Sequence, residues 1–113
     1  MTNNAIKVCK KIDIWRVIDL LSSCKEQVTI TYKCNDEVIH EVISNHNIKT
    51  EIKSLDSYSS AFNIITSKKS IEFDLNKNYS LDCIHTYIKN GVVCIELNYK
   101  DKYMLIETDI KEE

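Results

Sequence analysis

Proline is absent from these 113 residues and glycine occurs once, at position 91. With a single glycine there is no GxGxxG or P-loop to cradle a phosphate and no GxSxG elbow to present a serine nucleophile. The same scarcity leaves no flexible linker, so residues 1–113 are expected to form one globular domain. HExxH does not occur, and His40, His46 and His85 have no helical ligand spacing. No metal site and no cofactor are therefore expected. No apolar run exceeds four residues, which predicts neither a transmembrane helix nor a signal-peptide core, and a cytoplasmic location is expected.

Arginine occurs once against fourteen lysines, and alanine twice, in a chain rich in Ile, Lys and Asn. Those codons are rich in A and T, which points to a viral or mobile-element gene or an AT-rich bacterial genome. The five cysteines, Cys9, Cys24, Cys34, Cys83 and Cys94, are odd in number and form no CxxC. They read as small buried hydrophobes of a reducing compartment. A net charge of -2 argues against a nucleic-acid binder working through a broad basic face.

What is present is centred on residues 81–110. Asn90 and Gly91 are the pair that a two-residue type I′ hairpin turn requires, since both central positions need positive φ. That turn sets Ile88 against Val93, Thr86 against Ile95 and Ile84 against Leu97, with Tyr87–Cys94 and His85–Glu96 on the other side. A second turn near Lys100 and Asp101 places Met104 against Leu97 and Ile106 against Ile95, so three strands share one apolar face.

Elsewhere, Asp13 is an N-cap for a helix with Ile14, Val17, Ile18 and Leu21 at helical spacing, ending near Ser23 or Cys24, with Trp15 a partly buried residue at its edge. Residues 5–12 fit either two further helical turns or an edge strand. Val28, Ile30 and Tyr32 alternate with polar residues as a strand does, Asn35 and Asp36 turn the chain, and 38–43 returns with apolar residues at 38, 39, 42 and 43 that do not select a core face. Residues 47–54 read as a third strand, with a helix through Ile48, Ile52 and Leu55 as the competitor. Tyr58, Ala61, Phe62 and Ile65 form an i, i+3, i+4, i+7 set that predicts a second helix, and Ile71, Phe73 and Leu75 alternate as a strand. The predicted fold is α+β: a single antiparallel sheet of about six to seven strands with two helices packed on one face, in the order α-β-β-β-α-β-β-β-β.

His85 opposite Glu96 is the best pair for acid–base chemistry, because a carboxylate beside an imidazole orients it and raises its pKa. Cys83, two residues before His85, makes a Cys–His arrangement geometrically conceivable. The same face reads equally as a recognition surface of His85, Tyr87, Glu96, Asn98, Tyr103, Glu107 and Asp109, where tyrosines give contact area and acidic groups steer a basic partner. The expected function is a small protein-binding inhibitor: an immunity protein neutralising a toxin such as a nuclease, or a viral or phage inhibitor of host defence. A small hydrolase or nuclease using His85 and Glu96 is the alternative. The expected partner is a protein with a basic surface, with no membrane and no nucleic acid involved. Homodimerisation through Tyr103–Ile110, read as an edge strand at the C-terminal end of the sheet, is a further option.

Overall fold

The computed structural model describes residues 6–54, 60–75, 84–99 and 101–111, with 6–11 and 99 given by their backbone alone. In chain order these form β1 (Ile6–Lys11), α1 (Ile14–Ser22), β2 (Gln27–Cys34), β3 (Glu37–Ser44), a 3-10 turn (Asn45–Asn47), β4 (Lys49–Ser54), β5 (Ser60–Ile65), β6 (Ser70–Leu75), β7 (Ile84–Lys89), β8 (Val92–Tyr99) and β9 (Lys102–Lys111). Antiparallel pairing builds two sheets, one ordered β1-β7-β8-β9-β2-β3 and one ordered β4-β5-β6. No helix among the described residues is long and apolar enough to cross a membrane.

The hairpin at Asn90–Gly91 forms as its residues dictate, with φ of 54° and 79°. All five cross-strand pairs read from it are observed, including Ile88↔Val93, Thr86↔Ile95 and His85↔Glu96. Tyr99 pairs with Lys102, so the second turn also has two residues, and Leu97↔Met104 and Ile95↔Ile106 follow. Replacing Gly91 with Ala is expected to cost about 1 kcal/mol, because a Cβ opposes positive φ. Chemical denaturation of G91A checks this, and an unchanged midpoint would contradict the turn assignment.

Asp13 caps α1 by accepting a hydrogen bond from the Arg16 amide at 3.0 Å. The helix buries Ile14, Val17, Leu20 and Leu21. Its position follows from topology. β1 and β2 run parallel but lie four strand spacings apart, about 19 Å, with β7, β8 and β9 between them. The crossover carries α1 over the apolar face of those three strands.

Two elements differ from the sequence reading. Residues 60–65 form β5, the centre of the small sheet, in place of a second helix, and Tyr58 lies outside the described residues. A strand covered on both faces loses the polar alternation that marks a half-buried one, and a near-continuous apolar run also satisfies helical spacing. Ser60, Ala61, Phe62, Asn63 and Ile64 are all buried. The predicted single sheet is also replaced by two. Residues Asn45–Asn47 turn the chain out of the large sheet, with the Ser44 hydroxyl accepting from the His46 amide, and β4 then pairs with β5.

The small sheet closes the core from the side of β2, β3 and β9. Lys69 pairs with Glu37 and lies 5.6 Å from the Tyr32 ring centre, Lys68 pairs with Glu41 at 3.3 Å, and the Lys102 ammonium donates to the Glu72 carbonyl at 2.6 Å. One cluster of buried side chains joins α1 to both sheets. Tyr32 sits at its edge, where burial and then the hydrogen bond to Cys34 push its pKa up to about 12.

Trp15 is 56% exposed, a correction to its expected place at the core edge. The buried stripe begins at Ile14, and the next residue is rotated about 100° away from it. β9 is a second correction, since it lies between β8 and β2. Tyr103–Glu107 has β8 on one side and β2 on the other, so this part of the stretch is not a sheet edge. The edges of the large sheet are β1 and β3.

Candidate functional site

Strand alternation divides the large sheet into a core face and an outer face. Ile84, Val93, Ile95, Leu97, Met104, Ile106, Val28, Ile30 and Ile43 point inward. The outward set follows from the ladders. In one row His85, Glu96, Leu105, Thr31 and His40 are successive cross-strand neighbours. In the next, Tyr87, Cys94, Glu107, Thr29 and Val42 follow one another, and beyond the first row lie Asn98, Tyr103, Lys33 and Val38.

At the centre is a short hydrogen-bonded chain. His85 Nε2 is 2.8 Å from Glu96 Oε1, with the two side chains 27% and 23% exposed, and the Tyr103 hydroxyl donates to Glu96 Oε2 at 2.7 Å. Each carboxylate oxygen thus has one donor, which fixes the rotamers of all three side chains. Burial, and then the bond to the Glu96 carboxylate, push the Tyr103 pKa upward. Tyr103 therefore remains a phenol and a donor. The His85 and Tyr87 rings stand 6.3 Å apart at 37°. Asn98 is exposed beside Tyr103.

The structure thus brings together six of the seven residues singled out from sequence, and places the seventh apart. Asp109 follows an irregularity in β9: Val92 and Cys94 are two residues apart, while their partners Lys111 and Glu107 are four apart. The extra length forms a bulge, pinned by the Thr108 hydroxyl donating to the Val93 carbonyl at 2.7 Å and accepting from the Ile110 amide at 3.1 Å. It aims Asp109 at the loop after α1, where its carboxylate accepts the amides of Lys25, Glu26 and Gln27 at 2.9, 2.6 and 3.1 Å. Burial tends to raise its pKa, but the three amide bonds together hold it below the usual carboxylate range. Asp109 is a structural clamp for the start of β2.

Sequence reasoning missed the β2 and β3 part of the face. Val38 and Val42 are 62% and 58% exposed, and the His40 ring meets the Thr31 hydroxyl at 2.8 Å. The apolar pairs at 38–39 and 42–43 could not select a side. The register Thr29↔Val42 and Lys33↔Val38 does.

For acid–base chemistry the site offers an oriented imidazole but, among the described residues, no hydroxyl or thiol bonded to it. Cys83, considered as its companion, lies outside the described residues. Cys94 is 2% exposed, and burial, then the Glu107 charge, push its thiol pKa up, which opposes formation of a reactive thiolate. No group of three or more His, Cys, Asp or Glu among the described residues is placed to hold a metal ion. Comparisons with family models, with curated proteins and with solved structures returned no significant match, and the site is accordingly interpreted from its own geometry.

Proposed function

We propose that the protein is a cytosolic protein-binding inhibitor of the immunity-protein kind, acting through the outer face of the large sheet on a partner with a basic surface. The observation that carries this reading is the Tyr103–Glu96–His85 chain. Three polar side chains are held in fixed rotamers at the middle of an open face, beside Tyr87 and Leu105. Preorganisation lowers the entropy lost on association, and amphipathic aromatics at the centre of a contact supply most of its energy. The partner's character follows from charge. Two carboxylates, Glu96 and Glu107, occupy the central strands β8 and β9 of this face, and they would steer a basic patch such as the active site of a nuclease.

The test is a tagged pull-down from the native host at two salt concentrations, repeated with the double variant Tyr103→Ala, Glu107→Lys. A stoichiometric basic protein held by the wild type, released by salt and lost by the folded double variant is the expected result. Truncation of one central aromatic with reversal of one charge should raise the off-rate by a factor of about 30 or more. An unchanged off-rate would remove this face from the contact.

A second reading, a small hydrolase or nuclease with His85 as general base, is favoured by the 2.8 Å contact with Glu96. It requires His85 to titrate with a pKa that responds to Glu96→Gln. An NMR titration of the His85 ring with no such response would exclude it.

A further inference from the structure

We infer that the cleft at the bulged end of the large sheet receives an arginine side chain of the partner, with Glu107 as its counter-ion. This rests on the binding reading above and narrows the partner's chemistry. The cleft measures about 360 Å³ and is lined by residues that include Gln27, Thr29, Asn90, Cys94, Glu107 and Asp109. The bulge accounts for it. Opposite Val92 and Cys94 of β8, β9 carries two extra residues, and Thr108 and Asp109 of that bulge line the cleft.

Glu107 lines the cleft, flanked in register by Cys94 on one side and Thr29 on the other. It is half-buried, yet among the described residues its carboxylate has neither a hydrogen bond nor an ion pair. The nearby carboxylates are satisfied: Glu96 on the same face has two donors, and Asp109, redirected by the bulge, has three amides. A carboxylate drawn partly out of water without a partner is unfavourable, and a cation supplied from outside removes that deficit. Lys89 lines the rim but makes no ion pair with Glu107.

The acceptors select the cation. Besides Glu107, the side-chain oxygens of Thr29, Gln27 and Asn90 are unengaged among the described residues, and the Asp109 carboxylate retains a lone pair beyond its three amides. They stand on separate elements that line the cleft, β2, the turn between β7 and β8, and β9. A planar guanidinium with five donors can address several of them at once, which a compact ammonium with three cannot. The volume lies at the lower end of the range for ligand pockets and suits one long side chain.

The test uses the intact protein and a blocked amino acid, N-acetyl-arginine amide, followed by amide NMR shifts. Expected are saturable shifts at Thr29, Cys94 and Glu107 with an affinity in the millimolar range, at least about threefold tighter than for N-acetyl-lysine amide and at least about tenfold weaker in Glu107→Gln. Glu107→Gln preserves volume, and its own spectrum reports that it is folded. Absence of shifts, shifts confined to other residues, or equal binding by Glu107→Gln would each overturn the assignment. Failure of the two readings is distinguishable. Arginine binding here without any salt-sensitive protein partner would overturn the inhibitor reading and leave the cleft. A partner held by wild type and Glu107→Gln with the same off-rate would overturn the cleft and leave the face.

Discussion

Replacing Phe62 with Ala is expected to destabilise the fold by about 3–5 kcal/mol, the usual cost of truncating a large aromatic in a packed core. Phe62 is fully buried. It occupies the middle of β5, directly between Ile52 on β4 and Phe73 on β6, and belongs to the cluster that joins the small sheet to α1 and to the large sheet. Both neighbouring strands are held by their ladders, so the space left by the ring cannot close by a side-chain shift. Against a total stability of about 5–15 kcal/mol for a domain of this size, such a loss brings the variant near unfolding. Urea denaturation followed by far-ultraviolet circular dichroism measures it. A loss below about 1 kcal/mol would contradict the buried central position of β5.

The second large effect is expected at Asp109. Asp109→Ala leaves three backbone amides without their acceptor, and a stability loss of about 1–3 kcal/mol should follow, toward the lower figure because water reaches the loop. The pH dependence has a definite sign. A carboxylate whose folded pKa is depressed contributes stability that is fully present above its unfolded pKa, about 3.9, and is lost as pH falls through the lower folded value. The gap between wild type and Asp109→Asn should therefore be largest near neutral pH and shrink below about pH 4. Denaturation at pH 7 and at pH 3 checks this. A gap that stays constant, or widens in acid, would mean that the amide bonds do not favour the ionised form. Asp109→Asn keeps the side chain's size while removing its charge.

Much of the candidate site was legible because it depends on one turn. Asn90 and Gly91 fixed a register, and a register propagates: once Ile88 faces Val93, His85 must face Glu96, and a second two-residue turn carries the same parity to Tyr103 and Glu107. The bond from Tyr103 to Glu96 was not legible. The two residues face different partners in the ladder, Asn98 and Leu105, and meet diagonally only through the reach of the phenol. Asp109 was misplaced for a related reason. Strict alternation puts it on the outer face with Glu107, and the bulge that redirects it is formed by the Thr108 hydroxyl bonding to a backbone carbonyl on another strand.

The sequence by itself determined the hairpins, the cap and buried stripe of α1, and the division of β7, β8 and β9 into an apolar and a polar side, because each depends on residues near one another in the chain. Tertiary structure decided the rest. Whether Ala61–Ile65 is helix or strand depended on apolar surface arriving on both of its faces, and whether Val38 or Ile39 points inward depended on the register with β2. That β9 is a central strand depended on β2 returning beside it after the crossover of α1. These are long-range pairings, in which the free energy of a local segment is set by what covers it, and no spacing within the segment records that.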